Sequence, residues 1–231
     1  MQNDQKKIWD HFQGEAIQSF DLAVPRLCYL LASANRLAGG QQWQILNIGT
    51  GNGWLEQACH AKGWRTYTLD PSALAVQRVQ QYGIPGQVGL IEQAPFDTGS
   101  FDAIFCSEVF EHLVPRQLDQ GLAEIKRMLR PHGYLIGTVP FNEALKNGET
   151  VCPECGTVFH RWGHQQSFTK PSMRAILQAA QLKVVALQVQ AFPYFEHPSL
   201  VNLAKTSLIK LIGRFGVQSM FPSLCFVARN T

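Results

Sequence analysis

Three groups of side chains in this 231-residue chain stand at intervals that carry chemical meaning. The first is Gly49, Gly51 and Gly53, placed between the apolar run Ile45, Leu46, Ile48 and the segment Trp54-Leu55-Glu56. Glycine there lets main chain approach a ligand that side chains would hold away. A second predicted strand, 65–69, ends at Asp70, where nucleotide-binding α/β folds place an acid on the two hydroxyls of a ribose. A nucleoside site is the implication. The second group is Cys152 and Cys155 in a Cys-Pro-x-Cys-Gly turn, followed by His160 and His164. Two thiolates and two imidazoles make the ligand set of a structural zinc; without metal they are reduced thiols in a turn and histidines used otherwise. The third is Glu108-Val-Phe-Glu-His112. In a helix, Glu108, Glu111 and His112 would share one face, and an imidazole of near-neutral pKa suits removal of a hydroxyl proton.

Alternating strands and helices must position these groups. Periodicity predicts strands at 44–48, 65–69, 87–90, 101–107, 133–139 and 183–190, with helices at 53–62, 72–81, 116–129 and 171–180. Helical spacing of apolar residues over 16–38 predicts one or two helices before the first strand, with Pro25 as a break. The run Ser223–Ala228 reads as a final antiparallel edge strand. This order predicts an α/β fold: a Rossmann-like, doubly wound, mostly parallel seven-stranded sheet with helices on both faces. The chain reads as a single domain over 1–231. Within it lie a helical cap (1–42), a cofactor half (43–139), the Cys/His insertion (140–168) and a substrate-side half (169–231).

The glycine spacing separates two kinds of nucleoside cofactor. A dinucleotide site uses Gly-x-Gly-x-x-Gly, but here Trp54 holds the third glycine's place and Gly53 falls one residue early. The segment resembles instead the class I S-adenosylmethionine-dependent methyltransferases, whose small-molecule group has a first motif reading roughly Leu-Asp-Ile-Gly-Cys-Gly-x-Gly. The resemblance continues through 94–113 and 130–140, and matching segments extend from about residue 43 to 190. It implies backbone contacts to the cofactor from Gly49, Gly51 and Gly53, and the ribose on Asp70. Ser107 and Glu108 would flank the methionine end, with Glu111 and His112 as catalytic candidates. Two departures stand out: Asn47 replaces the usual acid associated with the cofactor's amino group, and the adenine-side aspartate falls near Leu90, leaving Glu92 as the nearest acid. The stretch from Glu108 to His112 with His164 is also similar to the small-RNA 2′-O-methyltransferases, where such a cluster holds a divalent cation.

Composition narrows the rest. A 45% hydrophobic and 16% charged content indicates a globular chain. A formal charge of +3, scattered, gives no clear nucleic-acid stripe. The first residues lack a signal peptide's apolar core, no apolar run is long enough to span a bilayer, and the six cysteines suit reduced thiols or metal. A cytoplasmic protein is expected. The amphipathic segment 200–215, bearing Lys205, Lys210 and Arg214, suits packing on the sheet, or peripheral membrane contact. Phe192, Pro193, Tyr194 and Phe195 suit either a pocket wall or core. The expected activity is methyl transfer to a small-molecule, sugar or lipid-intermediate acceptor, with oxygen preferred. The rivals are a non-catalytic binding module with a zinc loop and a cation-dependent RNA methyltransferase.

Overall fold

The structure is a computed structural model that describes residues 2–192 and 222–231. Its main sheet has seven strands. In chain order these are β1 (Gln44–Ile48), β2 (Arg65–Asp70), β3 (Gly86–Val88), β4 (Phe101–Ser107), β5 (Leu129–Pro140), β8 (Leu182–Gln190) and β9 (Ser223–Asn230), and β6 (Glu149–Val151) pairs with β7 (Val158–His160) in a separate hairpin. Six α-helices accompany them among the described residues: α1 (Gln2–Gln13), α2 (Val24–Ala38), α3 (Trp54–Ala61), α4 (Ala73–Gln80), α5 (Pro115–Met128) and α6 (Lys170–Ala179).

The spatial order is β3-β2-β1-β4-β5-β9-β8, with β1 to β5 parallel and β9 antiparallel to both its neighbours. Strand alternation sends neighbouring residues to opposite faces. Leu46, Ile48, Ile104 and Cys106 join α5 and α6 residues such as Leu122, Ile125 and Leu177 in one buried cluster. Ile45, Ala103 and Phe105 join Leu30 and Ala34 of α2 with Leu55 and Cys59 of α3 in another. Both faces are therefore covered, as the alternation of elements predicts.

Four details differ from expectation. The last strand is antiparallel but interior: β9 lies between β5 and β8, and β8 is the edge. Burial explains this, because Leu224, Phe226 and Ala228 are at most 1% exposed while Val185 on β8 is half exposed. Pro25 opens α2 instead of breaking a helix, since its missing N–H matters least in a first turn. Residues 17–23 form a 3₁₀ turn instead of α-helix, and α1 lies ahead of the helical spacing at 16–38 but within the predicted cap. Finally, Glu108–His112 is not an α-helix. Glu108 ends β4 at φ +55° and only Phe110–His112 makes a 3₁₀ turn. The segments at 193–195 and 200–215, with their proposed pocket and membrane roles, lie outside the described residues; Phe192 is described, and it is buried edge-on to Tyr29.

Candidate active site

Strand order reverses between β1 and β4, and in open α/β sheets ligands bind outside the carboxyl ends of the strands at that point. A cavity of about 1420 Å³ opens there. The end of β1 and its loop (Asn47 to Asn52), Asp70 at the end of β2, Leu90–Glu92 after β3, Ser107–Val109 and Glu111–Leu113 at and beyond the end of β4, and Asn142–Ala144 after β5 all line it. Trp9 and Phe12 of α1, Phe20, and Arg26 of α2 roof it.

The glycine turn needs its glycines. Gly49 sits at φ +84°, and a Cβ there would lie 2.8 Å from Val109; Gly53 sits at φ +82°, and a Cβ would lie 2.7 Å from Val79. Asp70 ties the turn to the next strand. Its Oδ2 accepts the Thr50 N–H and its Oδ1 the Ser72 N–H, both at 2.8 Å. Burial raises its pKa, and those two N–H donors pull it back. Asn47 donates through Nδ2 to Glu56 Oε1 (2.8 Å) and to the Gly49 carbonyl (3.2 Å). Glu92 borders the cavity beside Leu90; Oε1 accepts from Gln117 at 2.6 Å, and Oε2 is buried without a hydrogen bond among the described residues. Ser107 Oγ accepts from Arg26 Nε at 3.1 Å, and the same guanidinium lies 3.8 Å from Glu108 Oε1.

A second cluster lies across the cavity. Glu111 is 0% exposed, and neither carboxylate oxygen has a hydrogen-bond partner among the described residues. Burial, then the charge of Glu108, pushes its pKa well up. His112 is pushed down to about 3, by burial and then by His164, against hydrogen bonds with the Gly163 and Trp162 backbone. His164 Nδ1 and Glu143 Oε2 are 2.6 Å apart. Since an ionised carboxylate only accepts, that imidazole donates from Nδ1. His160 stacks on His164 at 4.6 Å, and its Nδ1 accepts the His164 N–H at 3.2 Å. Among the described residues, two sets of ligand atoms converge within 4.8 Å: Glu111, His112 and His164, and Glu143, His160 and His164.

The expected zinc set of Cys152, Cys155, His160 and His164 is not assembled. Pairing of β6 with β7 puts the cysteines at the hairpin tip, where Cys152 N–H bonds Thr157 O, and puts His160 at the other end opposite Glu149. Neither convergent set contains a cysteine. Glu108 is also absent from them, because the chain turns left-handed at that residue and its carboxylate faces Arg26. Sequence reasoning missed Glu143, Arg26 and Glu56. Glu143 had a signal, an acid just past the carboxyl end of a parallel strand; Arg26 and Glu56 had none beyond their helices.

A family model described as "Methyltransferase domain" matches residues 46–137, the span that builds the glycine turn and the β4 loop. Over that span the chain is similar to a methyltransferase domain, and its fold is that of solved S-adenosylmethionine-dependent methyltransferases. It is similar to a ubiquinone biosynthesis O-methyltransferase of Alkalilimnicola ehrlichii, with 30% identity over 135 residues, 55% of this chain and 52% of that one. Similarity to a demethylmenaquinone methyltransferase of Chlorobaculum tepidum is 35% over 121 residues, 48% of each chain. The chain thus spans about half the length of the curated relatives it matches. In fold, this chain is like the Burkholderia thailandensis 1,6-didemethyltoxoflavin-N1-methyltransferase solved with S-adenosylhomocysteine (TM-score 0.62, 18% identity, 99% of this chain and 83% of that one). It is also like the [4+2]-cyclase SpnF (TM-score 0.58, 16% identity, 92% and 93%). The cyclase shows that this fold hosts more than one chemistry, so the reaction must be argued from the site.

Proposed function

We propose that this methyltransferase moves the methyl of S-adenosylmethionine to an oxygen of an apolar small molecule, of the kind the quinone-pathway relatives' names describe. One observation carries the reading: a single cavity joins the glycine turn and Asp70 to the Glu111–His112–His164 cluster, between apolar walls of Trp9, Phe12, Phe20, Leu27 and Phe192. An activated methyl needs an aligned lone pair and little water, and such a cavity supplies both. In this reading Gly49, Gly51 and Gly53 give main chain to the cofactor, and Asp70 takes the ribose hydroxyls. Glu92 lies on the adenine side, while Asn47, Ser107 and Glu108 border the methionine end. Calorimetry with S-adenosylhomocysteine tests the cofactor, and mass spectrometry of S-adenosylmethionine incubations with phenols and catechols tests the acceptor. No binding at high micromolar cofactor would favour the non-catalytic module. Methylation confined to amines would remove the oxygen.

A second reading, favoured by Glu111, adds a divalent cation. A buried carboxylate with two unbonded oxygens is costly unless it is protonated or meets a cation. Glu111, His112 and His164 would hold the ion, and Glu143 on Nδ1 would fix the His164 tautomer, as outer-shell carboxylates do. A bound divalent ion would supply Lewis acidity toward an acceptor hydroxyl. His112, held neutral, suits ligation better than proton abstraction, because a nitrogen of such low basicity has little drive to take a proton. Metal analysis of the purified chain and of Glu111→Gln decides it: metal in the first and not the second supports the cation, and metal in neither removes it.

A further inference from the structure

Behind the glycine turn lies a carboxylate that none of these roles uses. Glu56, in the first turn of α3, is 0% exposed. Its Oε1 accepts two hydrogen bonds at 2.8 Å, from Asn47 Nδ2 and from Thr68 Oγ1. Thr68 Oγ1 also lies 2.6 Å from Thr50 Oγ1, so the acid anchors both strands that flank the turn. Asn47 spends its second Nδ2 hydrogen on the Gly49 carbonyl. With both amide hydrogens turned that way, Oδ1 must face the other. Asn47 lines the cavity, and its Oδ1 is buried with no hydrogen-bond partner among the described residues. An amide alone can turn over at little cost, since its oxygen and nitrogen ends have nearly the same shape. The accepting Oε1 of Glu56 fixes which end is which.

We propose that Glu56 is a positioning residue for the cofactor, locking the Asn47 amide so that its Oδ1 receives the ammonium group of the cofactor's methionine part. This accounts for the departure at position 47. An aspartate there would press a second carboxylate against buried Glu56, and like charges at such range disfavour ionisation of one of them. Asparagine keeps the acceptor and gives Glu56 a donor. The relay thus replaces a direct acid with an oriented amide backed by an acid one layer deeper. The inference rests on the reading that the cavity holds S-adenosylmethionine.

Two probes separate the amino end from the rest of the ligand: S-adenosylhomocysteine, and 5′-methylthioadenosine, which keeps the nucleoside and sulfur but has no amino-acid part. Dissociation constants for both are measured by calorimetry on the full chain and its variants. Glu56→Leu is expected to weaken S-adenosylhomocysteine about tenfold or more while methylthioadenosine changes less than about twofold, because one oriented polar contact is lost. Glu56→Gln, which retains an accepting Oε1, stays within about threefold for both. Adding Asn47→Asp to Glu56→Leu restores S-adenosylhomocysteine binding, since a carboxylate needs no orienting. Equal weakening of both probes in Glu56→Leu would show a collapsed turn and overturn the proposal, as would no weakening of either. Should Glu56→Leu fail to fold, Asn47→Ala carries the same comparison, and equal loss of both probes overturns it there. Wild-type chain that binds neither probe overturns the cofactor reading itself, and this inference with it.

Discussion

Asp70 uses both oxygens on main chain before any ligand arrives, and that fixes what its replacement should do. The Thr50 and Ser72 N–H groups it accepts are buried, so Asp70→Ala leaves two donors unpaired. Bonds to a charged acceptor are worth about 1.5–3 kcal/mol each, so the variant should lose about 3 kcal/mol or more of stability. Its affinity for S-adenosylhomocysteine should fall at least about tenfold, because the turn and the ribose partner go together. Thermal unfolding and calorimetry check both; unchanged affinity in a folded variant would remove Asp70 from the site. Glu56 gives a pH signature. Burial raises its pKa from 4.5 to about 7, so across that interval the folded chain holds a proton that the unfolded chain releases. Stability is therefore greatest below the lower value and is lost as pH rises toward the upper one, by about 3 kcal/mol in all. Urea midpoints of the wild type should decline over this window relative to Glu56→Gln. A constant difference between the two proteins would mean that Glu56 titrates normally. Asp70 and Asn47 were legible in the sequence because they adjoin strand ends. Glu56 was not, because nothing in a helix's spacing tells which strand residue lies beneath it.

At the scale of elements, the strands of the main sheet were legible, and the β6–β7 hairpin and the joints between strands were not. Runs such as Phe101–Ser107 declare themselves by buried apolar residues, and that strand has the predicted bounds. The segment after it, Glu108–His112, reads equally well as an α-helix, and only tertiary packing makes it a left-handed step and a single 3₁₀ turn. The Cys/His loop failed for a related reason. Spacing places four ligand-type residues within thirteen positions, but strand pairing in the β6–β7 hairpin divides them between tip and base. That division predicts unequal mutants. Gly148 lies directly under the His160 ring, and any Cβ there would run into Nε2. Gly148→Ala should displace His160, and with it the base of the hairpin, destabilising the chain by about 1–3 kcal/mol as overpacking does. Cys152→Ser with Cys155→Ser, at the hairpin tip, should change stability by no more than about 0.5 kcal/mol, as surface substitutions do. Thermal midpoints compare the two. A large loss in the cysteine variant would show that the tip holds something the folded chain needs.

Taken whole, the molecule depends on a strand that arrives last. β9 separates β8 from β5, hydrogen-bonding to β5 from Tyr134 to Pro140 and to β8 from Leu182 to Gln190. The sequence showed an apolar final run but not its place, since a strand buried on both faces and an edge strand differ only in what neighbours them. Its side chains serve both halves of the molecule. Phe226 stacks on Phe110 of the 3₁₀ turn at 5.6 Å, and Asn230 Nδ2 donates to the Leu129 carbonyl at 3.1 Å beside the start of β5. Ser223 lines the cavity at the other end. Removing residues 222–231 would expose the facing edges of β5 and β8 and uncover core packed by Leu224, Phe226 and Ala228. Burying a leucine or phenylalanine is worth about 1.5–3 kcal/mol each, before the lost ladder bonds on two sides. Against a typical total of about 5–15 kcal/mol, that loss is a large share of the whole. The truncated chain should therefore lose its cooperative unfolding transition, and far-ultraviolet dichroism with urea titration would show it. Saturating S-adenosylhomocysteine at about 100 times its dissociation constant adds only about 2.7 kcal/mol and should not restore the transition. A truncated chain that unfolds cooperatively and still binds the cofactor product would show that the five parallel strands suffice, with β9 and β8 an addition to a sheet already complete.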